Sequence, residues 1–178
     1  MHIAYLGLGA NLPSPAGPPQ ATLAAAFESL GFLGQFVARS SLYSTAPVGL
    51  ADQPRFLNAV VALQTGLAPR TLLEHLLAIE AHFGRDRSAG VLNGPRSLDL
   101  DILLLGDLCL GESEFVLPHP RLAERAFVLV PLAEIAPNLV DPRSHRTIAQ
   151  LLSDLLERSP ADADAVTRVE SDLWITAR

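Results

Sequence analysis

Residues 94–106 read Gly94-Pro95-Arg96-Ser97-Leu98-Asp99-Leu100-Asp101-Ile102-Leu103-Leu104-Leu105-Gly106. The run from Leu98 onward is a β-strand by its apolar content and its flanking Gly-Pro and Gly breakers. Side chains alternate along a strand, so Leu98, Leu100 and Ile102 turn towards a core while Asp99 and Asp101 share the opposite face. Two parallel carboxylates repel each other unless something cationic sits between them. Magnesium takes carboxylate oxygens and keeps substrate phosphates as its other ligands, which suits this pair. An ordinary solvated strand face with alternating aspartates suits the spacing equally well.

Working outward from this strand, the flanking segments alternate in kind. Residues 2–9 read as a buried strand, followed by the Pro/Gly-rich loop 12–20. A helix runs through Leu23, Phe27 and Leu30, at i, i+4, i+7, and stops at Gly31. Residues 36–45 form a second strand, 46–55 a loop, and the β-rich stretch 56–65 a third strand. Pro69 suits the first turn of a helix that carries Leu72, Leu73, Leu76, Leu77 and Phe83 on one side and ends at Gly84. The polar loop DRSAGVLNGPR then leads back to 98–106. The order βαββαβ predicts an α+β protein with a ferredoxin-like core, in which helices pack on one face of an antiparallel sheet. Two further helices are expected around 121–136 and 147–157. From Ser159 the chain turns polar and then apolar (Val169, Leu173, Trp174, Ile175), an extra strand or packed tail. The expected division is a domain over 1–158 and an extension over 159–178.

The 178 residues are 49% hydrophobic and 18% charged, as in one globular domain. The chain opens Met1-His2-Ile3-Ala4-Tyr5, without the basic stretch and apolar run of a signal peptide. It has no apolar run long enough for a membrane span. A cytoplasmic protein is expected, since the single cysteine, Cys109, forms no internal disulfide; in its apolar stretch it reads as a small buried hydrophobe. The net charge of −6 and the 6% aromatic content argue against a nucleic-acid-binding surface. All 13 basic residues are arginines. That excludes the phosphate-loop lysine, the kinase strand lysine and Schiff-base chemistry, and it leaves phosphate to arginine, backbone amides or metal.

Arginines gather accordingly. Arg85 and Arg87 follow the second helix, Arg96 precedes the aspartates, and Arg121 and Arg125 follow His119. Guanidinium groups stay charged and grip phosphate oxygens in pairs. Pairing of Arg121 with Glu124 on the surface is the simpler reading for that residue. Pro118 and Pro120 stiffen the backbone at His119, which fits a phosphate contact or a structural histidine alike. His75 and His82 read as surface or boundary residues, and Gly7 and Gly9 as glycines easing a strand-end turn. Asn58, with its mixed donors and acceptor, and Phe56, two residues before it on the same face, suit a flat heterocycle or plain core packing.

Taken together, YLGLGANL at 5–12, TAPVG at 45–49, DQPRFLNAV at 52–60, LLAIEAHFGRDR at 76–87, GPRSLDLDILL at 94–104 and PHPRLAERAFVLVPLAEIAP at 118–137 make the chain resemble the 6-hydroxymethyl-7,8-dihydropterin pyrophosphokinases over roughly residues 4–156. The resemblance implies transfer of pyrophosphate from MgATP to the pterin hydroxymethyl group, with AMP released, in folate biosynthesis. It implies two magnesium ions on Asp99 and Asp101, with Arg85 and Arg96 neutralising charge during transfer. Glu80, Arg87, His119 and Arg125 fall at the nucleotide. Thr45, Pro47, Val48, Phe56, Asn58 and Phe127 fall at the pterin, the two phenylalanines enclosing its ring. Residues 12–20, 46–55 and 86–95 resemble the family's mobile loops. Asn93 stands where the family often has an aromatic residue, and Ala10 where it often has serine. The expected partners are the two small substrates, with no nucleic acid or membrane, in a monomer or weak homodimer. A small RNA-binding module and a metal-dependent phosphohydrolase are the competing readings.

Overall fold

The computed structural model describes residues 1–49, 52–86, 94–111, 115–161 and 165–176. The aspartate strand, β5 (Asp99–Leu105), pairs antiparallel with β1 (His2–Ala10), and β1 pairs antiparallel with β4 (Phe56–Thr65). On its far side β4 receives two short strands end to end, β2 (Gln35–Arg39) and β3 (Leu42–Thr45). The stretch predicted as one strand over 36–45 is therefore interrupted at Ser40. There the Ser40 amide donates to Val60 O at 2.9 Å, and the Ser40 hydroxyl, instead of a backbone carbonyl, accepts from the Val60 amide at 2.9 Å.

Between the strands run α1 (Pro19–Leu30) and α2 (Pro69–His82), each with proline in its first turn. Together these elements make the expected βαββαβ unit. The inward residues are those alternation predicts: Leu98, Leu100 and Ile102 lie with Leu6, Leu8, Leu57 and Leu63 under Leu23, Phe27, Leu72 and Leu76. Helices are not confined to that face. After β6 (Leu110–Gly111) and β7 (Val116–Leu117), helix α3 (Ala126–Ile135) and, beyond the hairpin of β8 (Val140–Asp141) and β9 (Arg146–Thr147), helix α4 (Ile148–Arg158) cover part of the other face. Leu129, Leu132, Leu151 and Leu155 pack there on Val60, Leu103 and Leu104. A third layer results, and it leaves open the end of the sheet where Asp99 and Asp101 emerge.

The chain ends with β10 (Val166–Val169), which pairs antiparallel with β3, and the short helix α5 (Asp172–Thr176). Trp174 of α5 is buried and its indole N–H donates to Ser40 O at 2.9 Å. Cys109, expected inside, is exposed, because Asp107–Cys109 belong to the turn after β5. Among the described residues no helix is long and apolar enough to cross a membrane.

Candidate active site

The register of the sheet lays out the floor of a cleft. Gly9 of β1 lies between Asn58 of β4 and Asp99 of β5, and Gly7 lies between Val60 and Asp101. Both glycines sit inside β1 and not at a turn, which corrects the strand-end reading. What matters is the missing side chain: a Cβ on Gly9 would lie 2.8 Å from Asn58 Oδ1, so only glycine lets the amide and the aspartate face one another across the strand.

A cleft of about 230 Å³ opens above this floor, lined by Gly9, Thr45, Ala46, Val48, Phe56, Asn58, Arg85, Arg96, Asp99, Asp101, His119, Arg121, Arg125 and Phe127. Eleven of the fourteen residues singled out by sequence are among them, drawn from five separate segments of the chain. Pro47, half-buried, is not a lining residue. Arg87 lies outside the described residues. Glu80, expected at the nucleotide, is set back from the cleft. It is 1% exposed, on the face of α2 that continues from Leu72 and Leu76, and it does not line the cleft. Its Oε1 accepts from the Leu100 amide at 2.7 Å and from Arg85 Nη1 at 2.6 Å. Glu80 thus pins the aspartate strand to α2 and aims Arg85. Its spacing, i+8 from Leu72 on the apolar face, was the readable sign of burial. Glu80→Ala is expected to cost about 2–3 kcal/mol, because it leaves the buried Leu100 N–H without its acceptor and takes one of two carboxylates from Arg85. Urea unfolding checks this; unchanged stability with weakened nucleotide binding would return Glu80 to the nucleotide.

Two arginines converge on Asp99. Arg85 bonds its Oδ1, and Arg96 Nη1 bonds its Oδ2 at 2.8 Å. Asp101 has less compensation: its nearest cation among the described residues, Arg125 Nη1, stands 3.9 Å away. Burial, with the negative charge of Asp99 second, therefore pushes the Asp101 carboxyl up to about 6, against partial relief from Arg125. Asp101, a hard oxygen donor short of positive charge beside the second carboxylate of Asp99, fits a divalent cation carrying further oxygen ligands from phosphate.

At the end of the cleft lined by His119, Arg121 and Arg125, Arg125 Nε is buried without a partner among the described residues. Burial and the neighbouring Arg121 both lower its proton affinity, strain that an anion would relieve. His119 is oriented by its own surroundings. Its amide donates to Leu103 O at 2.9 Å, and its Nδ1 accepts from the Arg121 amide at 3.1 Å. The ring proton therefore sits on Nε2. Burial, then Arg125 and Arg121, hold the imidazole down to about 4, so at neutral pH His119 is an uncharged donor. Arg121 pairs with Glu124 at 3.4 Å, as the surface reading held, yet it also lines the cleft.

At the other end, Asn58 Nδ2 donates to Thr45 Oγ1 at 2.7 Å, which fixes the amide with Oδ1 over Gly9. The Arg96 guanidinium lies 5.6 Å from the Phe56 ring centroid and that of Arg125 5.4 Å from Phe127. Sequence reading missed Asn11 altogether. Its Oδ1 accepts from the Arg96 amide at 2.8 Å while Nδ2 donates to Gln53 Oε1 at 3.0 Å and Pro54 O at 2.9 Å. One buried amide thereby ties both loops that flank the cleft; nothing in local spacing signals a contact made across 42 and 85 residues.

Comparison with known proteins decides what this cleft belongs to. Residues 5–137 match the family model described as 7,8-dihydro-6-hydroxymethylpterin-pyrophosphokinase. The chain belongs to that family. Among its relatives, the 2-amino-4-hydroxy-6-hydroxymethyldihydropteridine pyrophosphokinase of Pseudomonas aeruginosa is 48% identical over 149 residues, 84% of this chain and 89% of the relative. The enzyme of that name from Methylorubrum extorquens is 45% identical over 169 residues, 94% and 98% of the two chains. The solved Plasmodium falciparum HPPK-DHPS, wild type with pteroate, superposes with a TM-score of 0.77 at 16% identity. That superposition covers 96% of this chain and 46% of the other, so the likeness is one of fold with part of a longer protein. The chain is an ATP-dependent pyrophosphokinase that acts on 6-hydroxymethyl-7,8-dihydropterin in folate biosynthesis. Membership in this family displaces both the RNA-binding and the phosphohydrolase readings.

Proposed function

We propose that the cleft divides the reaction between two ends, with Arg96 at their junction. Asp99 and Asp101 hold magnesium, two ions in the family pattern. Bound metal supplies charge neutralisation and alignment of the ATP phosphates. Arg125 and the Nε2–H of His119 bind phosphate oxygens, with Arg87 a further contact. Phe56 and Phe127 enclose the pterin ring, Asn58 and Thr45 meet its polar edge, and Val48 with Pro47 borders it. The single observation that carries this division is the position of Arg96: one guanidinium bonds Asp99 and lies over Phe56, the meeting point of phosphate and pterin.

The pterin hydroxyl oxygen attacks the β-phosphorus of ATP. The new O–P bond forms as the bond from the β-phosphorus to the oxygen it shares with the α-phosphorus breaks, AMP departs with that oxygen, and the hydroxyl proton passes to solvent. His119 keeps its free ring nitrogen protonated and so serves as a donor, not as the base. Rate enhancement rests on positioning and charge neutralisation, as is general for phosphoryl transfer. Arg85 and Arg96 contribute by moving their hydrogen bonds from Asp99 towards the phosphate as its charge develops. The protein works in the cytoplasm as a monomer or weak homodimer.

The test is the identity of the nucleotide product. AMP is expected in equal amount to the pterin pyrophosphate, and only when the pterin alcohol is supplied. Formation of ADP, or equal loss of ATP without pterin, would overturn the proposal.

A further inference from the structure

The C-terminal extension reaches the pterin end of the cleft without lining it. Strand β3 is four residues long and ends at Thr45, whose hydroxyl fixes Asn58. Its outer edge is covered by β10, with Val166 opposite Thr45 and Thr167 opposite Ser44. Just before β10, Ala165 O accepts from the Ala46 amide at 3.3 Å. The same carbonyl accepts from Arg55 Nη2 at 3.0 Å. Arg55 also donates from Nη2 to Ser44 O at 3.1 Å and from Nε to Ser44 Oγ at 2.9 Å. One guanidinium therefore clasps the end of β3, the start of β4 and the C-terminal segment at the point where loop 46–55 leaves the sheet.

The far end of the extension is anchored independently. Trp174 is 3% exposed, packs edge-on against Phe27 at 5.6 Å and bonds Ser40 O. Arg39 lies over both rings, 4.7 and 5.1 Å from their centroids, and donates to Ile175 O at 3.1 Å. The extension is thus a strap held at Trp174 and fastened at Ala165. The matched family segment ends at residue 137, ahead of both.

We infer that Arg55, acting through Ala165 of this strap, is a positioning residue for pterin recognition. It touches neither substrate. By holding Ser44 and Ala46 it fixes Thr45 between them, and Thr45 fixes the Asn58 amide. Loss of the clasp lets the Thr45 end of β3 swing away, and the pterin site must then be ordered anew at each binding event. The nucleotide end, built on β5, His119 and Arg125, shares none of these bonds. The inference rests on the placement of pterin against Thr45, Phe56 and Asn58.

The experiment compares Arg55→Ala with Asn58→Ala in the full-length enzyme, reading the KM for each substrate and kcat. Arg55→Ala is expected to raise the pterin KM about tenfold, with the ATP KM changed less than about twofold. Arg55→Lys, which can reach the Ser44 or Ala165 carbonyl, is expected to restore part of the loss. In hydrogen exchange, the Ala46 amide should be protected in the parent and released in Arg55→Ala. Equal rises in both KM values would mean general loosening and would overturn the inference. So would an unchanged pterin KM in Arg55→Ala while Asn58→Ala weakens pterin. If Asn58→Ala leaves pterin binding intact, the pterin pocket itself is misplaced. Should Arg55→Ala fail to accumulate folded, Arg55→Gln, which keeps one amide donor for the Ser44 or Ala165 carbonyl, carries the same comparison and the same outcomes.

Discussion

Asp101→Asn is expected to abolish turnover while making the substrate-free enzyme more stable at neutral pH. The catalytic loss follows from removing one of two carboxylates proposed to hold magnesium. Metal stabilisation of a phosphoryl transition state amounts to several kcal/mol, on the order of a 10³-fold fall in rate. The stability change follows from electrostatics. Burial and Asp99 raise the Asp101 carboxyl to about 6 from an ordinary value of 3.8. In the folded protein it is protonated up to about pH 6, and in the unfolded chain only up to about pH 4. Folding therefore takes up a proton between those limits, and stability falls as pH rises through them. Asparagine does not ionise and escapes that fall. The variant should melt higher than the parent at pH 7.5 without magnesium, and the gap should close below about pH 4. Magnesium nucleotide should reverse the order by stabilising only the parent. A variant that melts lower than the parent at pH 7.5 would show Asp101 to be a structural residue.

The parts of this site that sequence reveals are those written in short-range periodicity. Alternation along β5 places Leu98, Leu100 and Ile102 inside and both aspartates outside, because a strand has no other option once one face is covered. The helix period likewise locates α1 and α2. Three things escaped for one physical reason: each depends on what lies across the sheet. Gly9 looks like a turn glycine until Asn58 and Asp99 are placed on either side of it. The spacing of Glu80 from Leu72 marks it as buried, but not that the Leu100 amide and Arg85 meet it there. The single strand expected over 36–45 breaks at Ser40 because a hydroxyl replaces a carbonyl in the ladder and Trp174, 134 residues away, takes the carbonyl so released. Residue type alone carries no trace of such partners. The resemblance supplied what periodicity lacked, and it did so for the residues that line the cleft more than for those that hold them in place.

Arg96→Ala is expected to lower kcat by roughly 10²–10³ while leaving both KM values nearly unchanged. The geometry separates this residue from the other arginines of the cleft. Arg85 is held by Glu80 and the Leu98 carbonyl, with only its Asp99 bond left to move, and Arg125 leans towards Asp101 and Phe127. Among the described arginines Arg96 alone bridges Asp99 and the Phe56 ring, so in the proposed division of the cleft it borders the path of the transferred group and not either resting substrate. Its main chain is held separately: the amide donates to Asn11 Oδ1, and the carbonyl accepts from the Asn11 and Leu12 amides, each at 3.1 Å. Truncating the side chain should therefore leave the loop in place and remove only the charge. Since that charge is already balanced by Asp99 in the resting enzyme, ground-state binding gains little from it. The benefit comes as negative charge shifts onto the migrating phosphoryl group, and lost transition-state stabilisation of that kind appears in kcat. Arg96→Lys should recover only part of the rate, because an ammonium ion cannot bond Asp99 and phosphate through a fixed planar fork. Single-turnover measurement with saturating substrates isolates the step. A variant with unchanged kcat and a raised nucleotide KM would make Arg96 a binding residue and move the catalytic charge to Arg85.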